Sequence, residues 1–334
     1  MSPSRSLSES LPLPFSASEL ALARSRSYAL FGQLFLSGLS PEVLSFVQVI
    51  PELAGVLPET FDEDEAAADY QHLFGFNVFA HESIFLDPAG LLGGPVGEAV
   101  LHSFTRAGYD PGTSSDNADH IGHELNCLAF LCGAEAEAWE DDRPNVASRI
   151  VLLQKEFLDQ HLLGWLPPLA LSIRQQNQPF YSALADLALD LATSHRSDTD
   201  SGPADVFLLP EPPDLLADEQ AGLRDIVAYL LTPAYSGVFL ARDDIGRLAH
   251  RQTLPRGFGG RRQMLQNLLR SAANYDMLEM VLQDLGQLTK GWETAYGEMA
   301  ADPHMQPFIE IWQARAAGTL ALVRAMHTRL QSLD

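Results

Sequence analysis

The chain has 334 residues, with 44 acidic against 21 basic side chains and a net charge of −23. Hydrophobic residues make up 46%, enough for a packed core and too many for a disordered chain. This length suits one large or two medium domains. The charge repels nucleic acid and anionic membrane surfaces and favours basic partners, with solubility alone as the plainer account.

Residues 1–16 are rich in Ser and Pro but lack the apolar run of a secretory signal, so they read as a disordered tail on a cytoplasmic protein. Nowhere do about 18 apolar residues follow one another, so no membrane span is expected. Ser18 is a plausible N-cap for a helix whose apolar residues Leu20, Leu30, Phe31, Leu34 and Phe35 fall at helical spacing. Further amphipathic runs cover 41–50, 62–74, 96–107, 118–138, 145–164, 166–176 and 180–194. Between His195 and Asp214 the composition shifts to Ser, Asp, Gly and Pro, which marks a linker over 196–215. Helical patterns resume at 217–231, 243–250, 260–286, 288–300 and 304–331, the last with Leu320, Val323 and Leu330 near one face. Alternating strands are absent, which predicts an all-α protein with a helical domain over 17–195 and a C-terminal helical domain over 216–334.

Cys127 and Cys132 sit five apart on one predicted helix and point in different directions, so no disulfide is expected and a reducing compartment is implied. Arg261 and Arg262 lie deep in the chain with no apolar export segment after them and read as a helix-surface pair.

Three constellations could carry chemistry. The densest is Asn117-Ala118-Asp119-His120-Ile121-Gly122-His123-Glu124, running into an apolar helical stripe that includes Cys127. On a helix, His120, His123, Glu124 and Cys127 share one face and could converge on a metal ion. The order differs from the His-Glu-x-x-His of zinc peptidases, because the acid follows both histidines. The plainer account has Asp119 at the helix start, accepting backbone N–H bonds, with His123 and Cys127 packed inside. A second stretch, Gly90 to Pro95, is glycine-rich, but no Lys-Ser/Thr follows and no strand precedes it. It reads as a turn with Pro95 opening the next helix.

The third combines Tyr70, Leu73 and Phe74 with His81-Glu82-Ser83 and Asp87. Aromatic and acidic groups lining one groove suit a peptide that sets an apolar stretch beside positive charge. Otherwise Phe74, Phe76, Phe79 and Phe85 are simply core. No nucleophile elbow, dinucleotide fingerprint or catalytic triad is present, so no catalytic residue is assigned.

In order, Tyr70-x-x-Leu73-Phe74, Glu82-Ser83 to Asp87, Gly108, Asp119-His120-Ile121 with Glu124-Leu125, and His161-Leu162-x-x-Trp165 with Phe180-Tyr181 resemble the TorD/DmsD/NarJ family of molybdoenzyme chaperones. The resemblance covers about 28–195, and the later helices look like those of longer members. It implies a TorD-like helical bundle followed by additional C-terminal helices, no catalysis and no cofactor of its own. It further implies a client: the precursor of a molybdoenzyme catalytic subunit, bound through its twin-arginine signal peptide or as apoenzyme until the molybdenum cofactor is inserted.

Carried over by position, the client-binding residues are Asp119, His120, Glu124, Tyr70, Leu73, Phe74, Glu82, Ser83 and Asp87. A nucleic-acid or integral-membrane partner is not implied, and a homodimer stays open. Two alternatives stand beside this reading. One is a metal-dependent helical enzyme using His120, His123 and Glu124, and the other is a general helical interaction protein.

Overall fold

A computed structural model describes residues 15–112, 118–199, 204 and 207–332. The tail expected over 1–16 lies outside them except for Phe15 and Ser16, and Asn117 lies outside as well. Among the described residues the protein is all α, and the single β-type contact is an isolated bridge between His81 and His120.

Helix α1 (Ala17–Ser37) is capped two residues before the expected Ser18: Ser16 accepts from the Glu19 N–H, and the Glu19 carboxylate accepts from the Ser16 N–H. Glu19 three residues on completes this capping box, whereas the Ser18 hydroxyl donates to Glu140. The run expected over 41–50 ends early as α2 (Pro41–Val47), and Pro51 opens the short α3 (Pro51–Ala54). Helix α4 (Glu63–Tyr70) passes into a π-helical turn, Gln71–Asn77, and is followed by α5 (Glu82–Leu86) and α6 (Gly94–Ala107). Gly93 and Gly94 enter α6 with positive φ (77° and 60°) and Pro95 sits in its first turn, as the turn reading requires.

Helix α7 (Ile121–Glu140) packs along α1 at a crossing made by two glycines. A Cβ on Gly122 would lie 2.7 Å from the Gly32 carbonyl oxygen, and one on Gly32 would lie 2.9 Å from that of Gly122. Side chains there would push the helices apart.

The predicted pair 145–164 and 166–176 is one continuous rod: α8 (Pro144–Phe157), a π-helical turn Leu158–Leu162, and α9 (Leu163–Arg174). Pro167 and Pro168 suggest a break in the sequence, yet both sit inside α9. After α10 (Pro179–Asp198) come α11 (Leu223–Leu230), α12 (Pro233–Ser236), α13 (Arg242–Arg251), α14 (Arg261–Asn274), α15 (Leu278–Met299) and α16 (Gln306–Gln331). The expected helix 260–286 divides near Asp276, whose φ of 56° turns the chain between α14 and α15.

Helices α15 and α16 run against each other, and α16 also meets α9. One apolar cluster spans both sides of the 196–215 segment. Phe85 of α5 stacks on Phe239 with ring centroids 5.2 Å apart, and Trp165 lies tilted against Phe85 at 5.5 Å. Arg261 departs from the surface-pair expectation: its guanidinium lies 4.4 Å from the Phe239 ring centroid and donates to the Leu240 carbonyl, while Arg262 stays exposed. Cys127 and Cys132 are both buried free thiols. No described helix is long and apolar enough to cross a membrane.

Candidate client-binding edge

The two strongest motifs are sewn together by their main chains. The Ile121 N–H donates to the Ala80 carbonyl at 3.0 Å, and the Glu82 N–H donates to the Asp119 carbonyl at 2.8 Å. Asp119 Oδ2 accepts from the Ser83 N–H at 3.0 Å, satisfying an orphan donor at the start of α5. The Ser83 hydroxyl in turn accepts from the Gly93 N–H at 3.0 Å, which ties the glycine turn to the same knot.

Asp119 is fully buried. Burial opposes its charge, but the Ser83 donors and the neighbouring His81 outweigh it and hold the carboxyl below the usual carboxylate range. His81 Nδ1 stands 3.6 Å from Asp119 Oδ1, longer than a hydrogen bond and close enough for a charge contact.

His120 is the cap of α7: its Nδ1 accepts from the Gly122 N–H at 3.1 Å. Burial, with His81 and His123 close by, depresses its pKa to about 3, so the ring is neutral. Its plane is nearly perpendicular to that of His81, with centroids 4.9 Å apart.

Glu124 meets groups from other segments. Its Oε2 accepts from Trp165 Nε1 at 3.1 Å, and its other oxygen faces the Glu82 carboxyl. Both carboxyls are wholly buried, and desolvation pushes both well above the usual carboxylate range. His161 closes the chain, with Nδ1 3.1 Å from Glu82 Oε2 and Nε2 2.8 Å from the Ser103 hydroxyl. Glu82, Glu124, His161 and Trp165, drawn from three separated motifs, thus form one buried brace.

The ligand set His120, His123, Glu124 and Cys127 does not converge, and among the described residues no three His, Cys, Asp or Glu side chains are placed to hold a metal. Burial pushes the Cys127 thiol well up, away from thiolate chemistry.

Of the nine positions expected to bind a client, Asp119, Glu124, Glu82, Ser83, Leu73 and Phe74 are buried, while His120, Tyr70 and Asp87 are partly exposed. Tyr70 donates to the Phe35 and Leu36 carbonyls at the end of α1, and Phe74 packs edge-on against Phe35 and Tyr181. These aromatics join the π-helical turn to the end of α1 and the start of α10. Phe76, expected in the core, is exposed beneath the Arg242 guanidinium.

The reachable part of the edge is His81, His120 and Asp87, with Leu91 and Leu92 exposed on the glycine turn (67% and 51%). Sequence reasoning took that turn as connection only. Two adjacent leucines between glycines were the available signal, since a turn has no core to place them in.

Residues 40–170, which contain this whole edge, match the family model described as nitrate reductase delta subunit. No curated protein matches the chain.

Proposed function

We propose, from the match of residues 40–170 to the nitrate reductase delta subunit family model, that this chain is a cytoplasmic chaperone for a molybdenum-cofactor oxidoreductase precursor. The observation that carries the reading is the knot between Ala80–Ser83 and Asp119–Ile121, which brings the motif segments to one surface edge. In this reading His81, His120, Asp87, Leu91 and Leu92 touch the client, while the buried Asp119, Ser83, Glu82 and Glu124 hold the edge in shape.

The client is a catalytic-subunit precursor, engaged through its twin-arginine signal peptide, its apo fold or both. Residues 17–195 form the chaperone domain, and 216–334 are an added helical region that packs on it. The chain needs no cofactor and performs no catalysis; it shields the precursor while cofactor is loaded.

The test is affinity capture from the native host with the full chain. A molybdenum-cofactor oxidoreductase subunit enriches, and His120→Ala with Leu91→Ser and Leu92→Ser loses it. No such subunit in the captured fraction, together with intact molybdoenzyme activities in a deletion strain, sinks the proposal.

A further inference from the structure

A second site lies where the π-helical turn Gln71–Asn77 meets the start of α13, joining the matched region 40–170 to the C-terminal helices. His72, Phe76, Asn77, Arg242 and Asp243 line a cavity of about 340 Å³ there, at the small end of the range for ligand sites. Single π-helical turns interrupt the regular helical ladder and recur at functional sites.

The two charges in this cavity are unequally satisfied. The Asp243 carboxylate is engaged: His72 Nε2 stands 3.0 Å and Asn77 Nδ2 3.4 Å from its Oδ2, and the Arg256 guanidinium lies 4.0 Å from its Oδ1. Arg242, the next residue, has no hydrogen bond or ion pair among the described residues. Its guanidinium lies 5.8 Å from the centroid of the half-exposed Phe76 ring, and its Nε is buried without an acceptor. Elsewhere Arg24, Arg196 and Arg247 each meet a carboxylate, as expected on a chain with 44 acidic and 21 basic side chains. A cation already partly stripped of water and left unpaired attracts an anion at a reduced desolvation cost.

We infer that this cavity binds a carboxylate carried on a flat apolar body. The carboxylate pairs with the Nη groups of Arg242, and the apolar body lies against Phe76. One unpaired cation suits a monoanion, whereas a phosphate dianion would face Asp243 without a second free cation. Two sources carry this chemistry: a free aromatic acid, and a Glu side chain beside an aromatic residue of another protein.

The probe is benzoate, titrated at constant ionic strength into the full chain and followed by the Arg242 side-chain Nε–H resonance and the Phe76 and Asn77 backbone amides. Benzamide supplies the same shape without the charge, inorganic phosphate supplies a different anion, and a blocked glutamyl-phenylalanine dipeptide represents the protein source. Benzoate shifts these resonances saturably and benzamide does not. Arg242→Gln, which strands no carboxylate, weakens binding about tenfold or more, and Phe76→Ala weakens it about threefold, with helical content unchanged. Tighter binding of the dipeptide assigns the source to a protein, and tighter binding of benzoate assigns it to a free acid; either sustains the carboxylate site. Equal responses to benzoate and benzamide, undiminished affinity in Arg242→Gln, tighter binding of phosphate than of either carboxylate, or no saturable shift at all overturns it. Client capture by the edge stands or falls separately, through the His120, Leu91 and Leu92 variant.

Discussion

Trp312 Nε1 donates to the Gly164 carbonyl oxygen at 2.8 Å across 148 residues of chain. That carbonyl lacks its ordinary helical partner, because the residue four positions on is Pro168, which has no N–H. A C-terminal tryptophan therefore completes a helix in the N-terminal part of the protein. Trp312→Phe keeps most of the ring and strands a buried carbonyl, a loss of about 1–3 kcal/mol. Trp312→Ala adds a cavity and loses about 3–5 kcal/mol. Urea unfolding at constant pH reads both, and a Phe variant as stable as the parent would mean that the carbonyl finds another donor.

The same coupling bears on truncation. Phe239, Phe308 and Trp312 share one core cluster with Phe85 and Trp165, so removing residues 216–334 uncovers apolar surface on 17–195. The shortened protein is expected to bind an apolar dye and to melt well below the full chain. A fragment that is monomeric, dye-silent and equally stable would show that 17–195 folds without its C-terminal neighbour.

Gly122 belongs to the densest motif, and its role is steric. A Cβ there would come within 2.4 Å of Leu36 Cγ and 2.7 Å of the Gly32 carbonyl, and the latter is backbone that cannot swing aside. Gly122→Ala is expected to cost about 1–3 kcal/mol. Gly291→Ala on α15, where a new Cβ meets nothing within 4 Å, should gain about 0.5–1 kcal/mol through helix propensity. Thermal melts of the two variants moving in the same direction would refute the crossing argument.

Much of this was legible in advance because helical periodicity reports the buried face directly, and α6, α7 and α16 fall close to their sequence-derived bounds. The continuity of α8 into α9 was not legible, since Pro167 and Pro168 signal a break, and the donor that serves the carbonyl freed by Pro168, Trp312, lies far along the chain. The motif residues stand out in the sequence, but the burial of Asp119 and Glu124 does not. Spacing places Asp119, His120 and Glu124 on the start of one helix, whereas the partners that draw Asp119 and Glu124 inward, Ser83, Glu82 and Trp165, come from other segments. Pairing across 36 or 41 residues leaves no periodic trace.

Asp119 should behave as a structural acid. Asp119→Ala leaves the buried Ser83 N–H without an acceptor and costs about 1–3 kcal/mol, while Asp119→Asn keeps an acceptor and costs less. Because its folded pKa is depressed, the charge-linked part of its contribution is present above the ordinary carboxylate pKa and fades as pH falls through the folded value. Denaturation curves of parent and Asn variant should therefore converge in acid. Curves that stay parallel at every pH would exclude this charge role.

The Glu82–Glu124 pair has the opposite sign. Raised carboxyl pKa values mean that the native state binds more protons than the unfolded chain above the ordinary carboxylate range, so the pair lowers stability as pH rises. Glu124→Gln removes one of the two titrating carboxyls and still accepts from Trp165, so the fall in stability as pH rises above the ordinary carboxylate range becomes shallower. Glu124→Ala strands the Trp165 N–H and costs about 1–3 kcal/mol. A Gln variant with the parent's pH slope would show that Glu124 is not the group whose titration sets that slope.

His120 sets the acid limit of the edge. Protonating its ring destroys the Nδ1 acceptor that caps α7 and places a cation beside His81 and His123. Its folded pKa of about 3 lies below the ordinary value of 6.5, so the native state binds fewer protons than the unfolded chain between them. Stability is therefore lost as pH falls from about 6.5 towards about 3, and the part due to His120 is about 1–3 kcal/mol. His120→Asn supplies a cap that does not titrate and should lose less stability than the parent between about pH 7 and about pH 5. Amide exchange at Gly122 and His123 gives the local reading: protection falls with acid in the parent and holds in the variant. Identical acid sensitivity in the two proteins would move the titrating group elsewhere.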